Sequence, residues 1–329
     1  MEQRRIAGTS LSGSVLGIDL ATRWPLAAPE TRSTAAMLRS VVRSGVTTIA
    51  LGPPGLLPPS VALARAALAE SGRKYVFVIE WPEPPTSRKP ARWGASPPPV
   101  RTSPEGSGLE PMLEIVRGLR DLGEVVIDWV PGSETGGGSE TEDRLARWSR
   151  EGEIAAWSVR WRGDPAEGTA YERGPSHVPI SASLSLLERG SLATFDSQLA
   201  DRPASVLVRD PFSQGRLDGT RFSGARAGPG PPAPPADIRA LRAEFEPVLR
   251  LAPLTRDRRR TLAQAALQYL LSRPWAATVI IPVTSIDRWS ELLGALEAPP
   301  IPGEALRDIG LAALRGDPPP PAKRPSDLM

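Results

Sequence analysis

Apolar positions along this chain alternate between two spacings. In one kind of stretch they fall three and four residues apart, as on the buried stripe of a helix. The other kind is a short run that is apolar or β-branched throughout, as in a strand covered on both faces. Residues 30–44 predict a helix with Ala36, Met37, Val41 and Val42 inward, ended by Gly45, and 46–51 a strand. Helices are predicted over 60–70, 112–122, 144–148 and 191–199, and strands over 75–79, 125–129, 154–159, 178–184 and 205–208. The clearest unit is 261–296: Thr261 stands where an N-cap belongs, and Leu262, Ala265, Ala266, Tyr269 and Leu270 follow at helical spacing. A buried strand over 278–281 comes next, then a helix carrying Trp289, Leu292, Leu293 and Leu296 on one side. Helix, buried strand, helix is the repeating unit of an α/β barrel.

Three segments interrupt this order. Residues 82–108 contain eight prolines and predict a long extended loop, and 162–177 leave little room for a helix. Residues 223–236 predict a second loop, and the proline-rich 317–329 a disordered tail. That leaves a single barrel domain over residues 1–316.

Composition narrows the function classes. The 329 residues carry a net charge of +3 with acids and bases interspersed, so no basic block tracks a phosphate backbone and nucleic acid is excluded as a partner. There is no cysteine and one histidine, His177, which argues against a metal site. No segment approaches the roughly 20 apolar residues that span a bilayer. A cytoplasmic protein is therefore expected, and the preference for arginine over lysine (Lys74, Lys89 and Lys323 only) suggests a bacterial one.

The stretch TLAQAALQYLLS (261–272) resembles the aldo/keto reductases, whose corresponding text is close to TLAQLALRWLLS. REGEIAAWSV (150–159) and RDPFSQGRLDG (209–219) are similar to that family's REGKIRYIGVS and SPLAQGLLTG, and RRIAGTSLSGSVLGIDL (4–20) to its opening hairpin and first strand. The resemblance implies a (β/α)8 TIM barrel with an N-terminal floor hairpin and a C-terminal helix near 303–314. It also implies a mouth where a tyrosine donates a proton, a lysine–aspartate pair lowers its pKa, and a histidine orients a carbonyl against a nicotinamide.

The motifs depart from the family at those positions. Matched to GINFFDTAxxYG, residues 45–55 put Ala50 at the aspartate and Pro54 at the tyrosine, while the third and fourth strands put Trp81 at the lysine and Trp129 at the histidine. The serine–asparagine pair that holds the nicotinamide is replaced by Arg160 and Trp161, the sixth-strand glutamine by Ser181, and the stacking aromatic by Leu184. Only Ser213, Gln214, Gly215 and Leu217 keep a cofactor-compatible pattern, which is also that of a plain turn.

The expectation is therefore a barrel that has given up standard reductase chemistry: a pseudoenzyme, or a ligand-binding or enzymatic barrel that works without a nicotinamide. No cofactor is expected, and NADP enters only under the alternative of an NADP-dependent carbonyl reductase with an unrecognised proton donor. Trp24, Trp81, Trp129 and Trp161 are expected to fill or line the mouth, with Asp19, Ser181 and Arg209 at its rim. Arg160 is the candidate for an anionic ligand, with Asp128 and Glu80 as nearby carboxylates expected to face sideways toward the helices. A small molecule at the mouth or a protein docked on the proline-rich loops is the expected partner.

Overall fold

The computed structural model describes residues 1–20, 28–52, 57–82, 109–130, 140–161, 178–199, 206–220, 238–283 and 285–311. These group into two compact units. The first comprises residues 1–183, 201–209 and 274–289, and it contains every strand. Strands β1 (Gln3–Arg5) and β2 (Ser12–Ser14) pair antiparallel as a hairpin. Eight parallel strands close into a barrel: β3 (Leu16–Asp19), β4 (Thr48–Leu51), β5 (Tyr75–Pro82), β6 (Gly123–Val130), β7 (Ala156–Trp161), β8 (Ile180–Ser183), β9 (Val206–Arg209) and β10 (Ala276–Pro282). Each pairs with the next in sequence, and β10 closes on β3 with Pro282 opposite Asp19. The expected (β/α)8 barrel and floor hairpin are thus both present, with strand ends displaced by up to three residues from their sequence positions.

Helices of this unit include α1 (Ala28–Arg43), α2 (Leu57–Leu68), α3 (Leu109–Arg117) and α4 (Glu140–Arg150), each lying between two barrel strands in the chain. Among the described side chains of α1 the buried ones are Thr34, Ala35, Leu38, Val41 and Val42, while the expected Ala36 is exposed and Met37 half-buried. Gly45 follows with φ of 100°, a left-handed turn open to glycine.

Period-two alternation fixes what fills the barrel. Ala50, Val76, Val78, Val126, Ala156, Leu207 and Ile280 form one cluster with Ile6 and Leu11 of the hairpin. The hairpin therefore plugs the end where the strands begin. The Ser14 hydroxyl ties it down, accepting from the Thr47 and Thr48 N–H groups at 2.9 and 3.2 Å and donating to the Leu16 carbonyl at 2.7 Å. Gly13 is required there, because a Cβ would lie 2.5 Å from Thr48 Oγ1.

The second unit comprises residues 184–200, 210–273 and 290–329. It holds α5 (Arg189–Gln198), α6 (Ile238–Leu249), a 3-10 turn (Ala252–Thr255), α7 (Leu262–Leu271) and α9 (Gly303–Asp308), while α8 (Ile286–Glu297) begins in the first unit and ends in the second. The expected N-cap of α7 is a full capping box: Gln264 N–H donates to Thr261 Oγ1, and Thr261 N–H to Gln264 Oε1. Among the described residues no helix is long and apolar enough to cross a membrane. Loops 82–108 (beyond Pro82), 162–177 and 223–236, residues 317–329, Trp24, Pro54 and His177 lie outside the described residues.

Candidate functional site

Active sites of this architecture lie where the strands end, and the same alternation that fills the barrel dictates which side chains arrive there. Counting on from the core, Val76 and Val78 lead to Glu80, Val126 to Asp128, Ala156 to Ser158 and Arg160, and Leu207 to Arg209. The register puts partners on the same face: Glu80 pairs with Asp128, Asp128 with Ser158, Arg160 with Ser181, and Asp19 with Ala50.

Hydrogen bonds join these residues across the lumen. Asp128, with its side chain 0% exposed, accepts from Arg160 Nη2, from Ser158 Oγ at 3.2 Å and from Ser181 Oγ at 3.0 Å. The same Arg160 nitrogen donates to Glu80 Oε2 at 3.1 Å. Arg209 reaches that Glu80 oxygen from the other side, with Nη2 at 3.5 Å, and lies 3.8 Å from Asp19 Oδ2. The order is Ser158 and Ser181 on Asp128, then Arg160, Glu80, Arg209 and Asp19: a single chain of alternating charge.

Burial of Arg160 by itself favours loss of its proton, but the charges of Asp128 and then Glu80 outweigh it, and the guanidinium is held above its ordinary pKa. It stays cationic at every workable pH. Glu80, at 27% side-chain exposure, is the most open carboxylate of the three, against 9% for Asp19.

This arrangement corrects the expected orientations. Glu80 and Asp128 do not face the helices; they enter the lumen with Arg160. Their neighbours Trp81 and Trp129 consequently lie on the outer face of the sheet, both buried. Trp129 packs edge-on against Trp157, with ring centroids 6.1 Å apart and planes at 60°. Trp161 follows Arg160 onto that outer face and is half-buried. These rings therefore do not line the lumen. Ala50 does enter it, as part of the apolar cluster.

Sequence reasoning missed Ser158. The signal was available: in AWSVR, an apolar Ala156 inside the barrel forces Ser158 and Arg160 to the same face. The error came from fixing the alternation on the bulky tryptophans instead of on the small and branched residues beneath them.

The cofactor-compatible loop belongs to the second unit. Ser213 is buried, donating to Glu188 Oε1 at 3.1 Å and accepting from Arg216 Nη2. The Gln214 N–H is taken by the Asp210 carboxylate at 2.8 Å, and Leu217 is buried. Asp210, Ser213, Gln214 and Gly215 all have positive φ, from 47° to 87°. Among the described residues, no group of three or more histidines and carboxylates is arranged to hold a metal ion.

No protein-family model matches the chain, and no curated protein does. Solved structures do. The aldo-keto reductase AKR11C1 from Bacillus halodurans, in its holo form, aligns over 94% of this chain and 95% of its own, with a TM-score of 0.64 and 20% identity. An aldo-keto reductase from Klebsiella pneumoniae in complex with NADPH aligns over 94% of both chains, with a TM-score of 0.61 and 16% identity. The glycerol dehydrogenase AKR11B4 from Gluconobacter oxydans aligns over 98% of both, at 0.64 and 16%. At such identities the likeness is one of fold, and it bears out the (β/α)8 barrel expected from the sequence.

Proposed function

We propose that this protein is an aldo/keto reductase-type barrel that binds a small polar ligand at the charge cluster and does not carry out tyrosine-driven, nicotinamide-dependent carbonyl reduction. One observation carries the reading. The lumen positions at the strand ends hold Asp19, Ala50, Glu80, Asp128, Arg160 and Arg209, an ion-pair chain in place of a proton donor with its helpers. Orientation changes the match to the family without changing its outcome. Set on the IHWP that closes the fourth strand in the family's usual text, DLLLIHWPD, the segment IDWV (127–130) puts Asp128 at the histidine instead of Trp129, and the inward Glu80 answers to the lysine instead of Trp81. A carboxylate in place of the lysine reverses the charge that would lower a tyrosine's pKa, and one in place of the histidine offers the carbonyl oxygen no donor.

The residues present also fit a nicotinamide cofactor poorly. Its amide would be held at Arg160, Trp161 and Ser181, but Arg160 is committed to two carboxylates and the Ser181 hydroxyl to Asp128. In the loop 213–217, the Ser213 hydroxyl and the Gln214 N–H are consumed internally.

The NADPH named with the Klebsiella pneumoniae structure supports the competing reading, an NADP-dependent reductase with a different proton donor. Isothermal titration of the purified protein with NADPH and NADP separates the two. The proposal expects no saturable heat and no rise in melting temperature; saturable micromolar binding would overturn it.

A further inference from the structure

Helix α2, on the outside of the barrel, departs from the usual pattern of a surface helix. Of its twelve residues, LPPSVALARAAL, only Ser60 and Arg65 are polar. Leu57, Ser60, Leu63, Ala64, Ala67 and Leu68 form its buried stripe. The opposite side, where a surface helix normally carries charge, presents Pro58, Ala62 and Ala66 exposed and Val61 half-buried. On α4, by contrast, Leu145 and Trp148 are buried and acids and arginines occupy most of the rest. A helix apolar all round is ordinarily covered on every side, and α2 is covered on one.

The uncovered side of α2 forms one wall of a groove of about 790 Å³, with Ile115 of α3 on the other. Charged residues stand toward the C-terminal ends of the two helices. Asp121 takes the Arg65 guanidinium bidentately, at 3.0 and 2.9 Å. Arg117 pairs with Glu114 at 2.7 Å and with Glu153 at 2.9 Å, and Arg120 pairs with Glu153. A small-molecule pocket needs polar groups that converge on the ligand; here they converge on one another. Nor does a strongly acidic or strongly basic partner find an unanswered charge among these residues. An apolar strip with a balanced charged rim has the anatomy of a protein interface. It is complementary to a copy of itself, as a two-fold contact requires.

We propose that this face joins two copies of the chain about a two-fold axis, with the α2 helices crossing at Val61 and Ala62. The small side chain of Ala62 lets the two backbones approach closely. Antiparallel crossing lays each Arg65 toward the partner's Pro58, so the like charges stay apart and Arg65 keeps its pair with Asp121.

Sedimentation velocity of the full chain over a dilution series tests it, and a reversible dimer is expected. Ala62 is exposed, and glutamate there keeps the helix. Ala62→Glu should raise the dissociation constant at least about a hundredfold: the two-fold contact buries the new carboxylate twice, and each unpaired burial costs a factor of about ten or more. At a dilution where both proteins are monomers, its melting temperature should match wild type. Ala193→Glu, the same change at an exposed position of α5, should leave the dimer intact. Mixing Ala62→Glu with Ala62→Lys should restore association, since opposite charges then meet at the axis. A wild-type chain that stays monomeric at every concentration overturns the inference and leaves the face to a different protein. A dimer that Ala62→Glu does not weaken overturns it too, as does a mixture that fails to reassociate.

Discussion

Replacing Asp128 by asparagine removes one charge from the lumen while keeping the side chain's volume. The expected cost follows from burial. Asp128 is 0% exposed and is the tighter of the two carboxylates on Arg160, itself only 14% exposed. Breaking a buried pair by neutralising one partner costs about 3–5 kcal/mol, because the other charge is left without compensation. Here Glu80 still holds Arg160 at 3.1 Å, so about 3 kcal/mol is expected, the lower end of that range. For a chain of this size about 2 °C of melting temperature accompanies each kcal/mol, giving a fall of roughly 6 °C. Asp121→Asn is the control: its bidentate pair with Arg65 is 59% and 46% exposed and is worth at most about 1 kcal/mol. Removing both lumen charges, as Asp128→Leu with Arg160→Met, is expected to recover most of the loss, since well-packed apolar replacements of buried pairs are often neutral. Denaturant melts of the four proteins read these values directly. If Asp128→Asn costs no more than Asp121→Asn, the lumen pair is solvated and the account of the cluster is wrong.

Three further outcomes are expected. Burial pushes the Tyr269 hydroxyl up to about 12. Between its ordinary pKa near 10 and that value the folded state keeps a proton the unfolded state has lost, so stability is complete below pH 10 and falls as pH rises, by about 2–3 kcal/mol in all. Urea melts at pH 9 and pH 11 (both approximate set points) should differ in wild type and agree more closely in Tyr269→Phe. Gly123→Ala is expected to prevent folding or to cost more than about 4 kcal/mol, because its Cβ would fall 2.0 Å from the Tyr75 carbonyl oxygen. Gly72→Ala, with open space and φ of 65°, should cost about 1 kcal/mol of backbone strain; soluble yield and melting temperature distinguish the two. Thr261→Ala should cost about 1 kcal/mol by removing half of the capping box, measurable as a shift in denaturant midpoint at constant slope.

Much of the fold was legible because barrel strands are buried on both faces and so write themselves as apolar runs between helical periods. The stretch 261–296 shows it: the N-cap at Thr261, the strand and the following helix are all where the spacing put them. The site was legible as a set of residues but not as a geometry. Asp19, Glu80, Asp128, Arg160, Ser181 and Arg209 were candidates, and they converge. Which of Glu80 and Trp81 enters the lumen is a question of phase, and the preceding run VFVI, apolar on both faces, carries no polar mark to fix it. A shift by one residue exchanges every inward side chain for an outward one. The resemblance set the phase on the tryptophans, and the core cluster with the cross-strand bonds of Asp128 resets it.

The central claim is that an ion-pair chain holds the end of the barrel where a hydride-transfer enzyme would keep its nicotinamide. A crystal structure determined from protein soaked in excess NADPH tests it most directly. The account predicts an undisturbed chain from Asp128 through Arg160 and Glu80 to Arg209, with no dinucleotide in the lumen. A nicotinamide ring bonded to Ser181, with Arg160 swung out of its pairing, would contradict it.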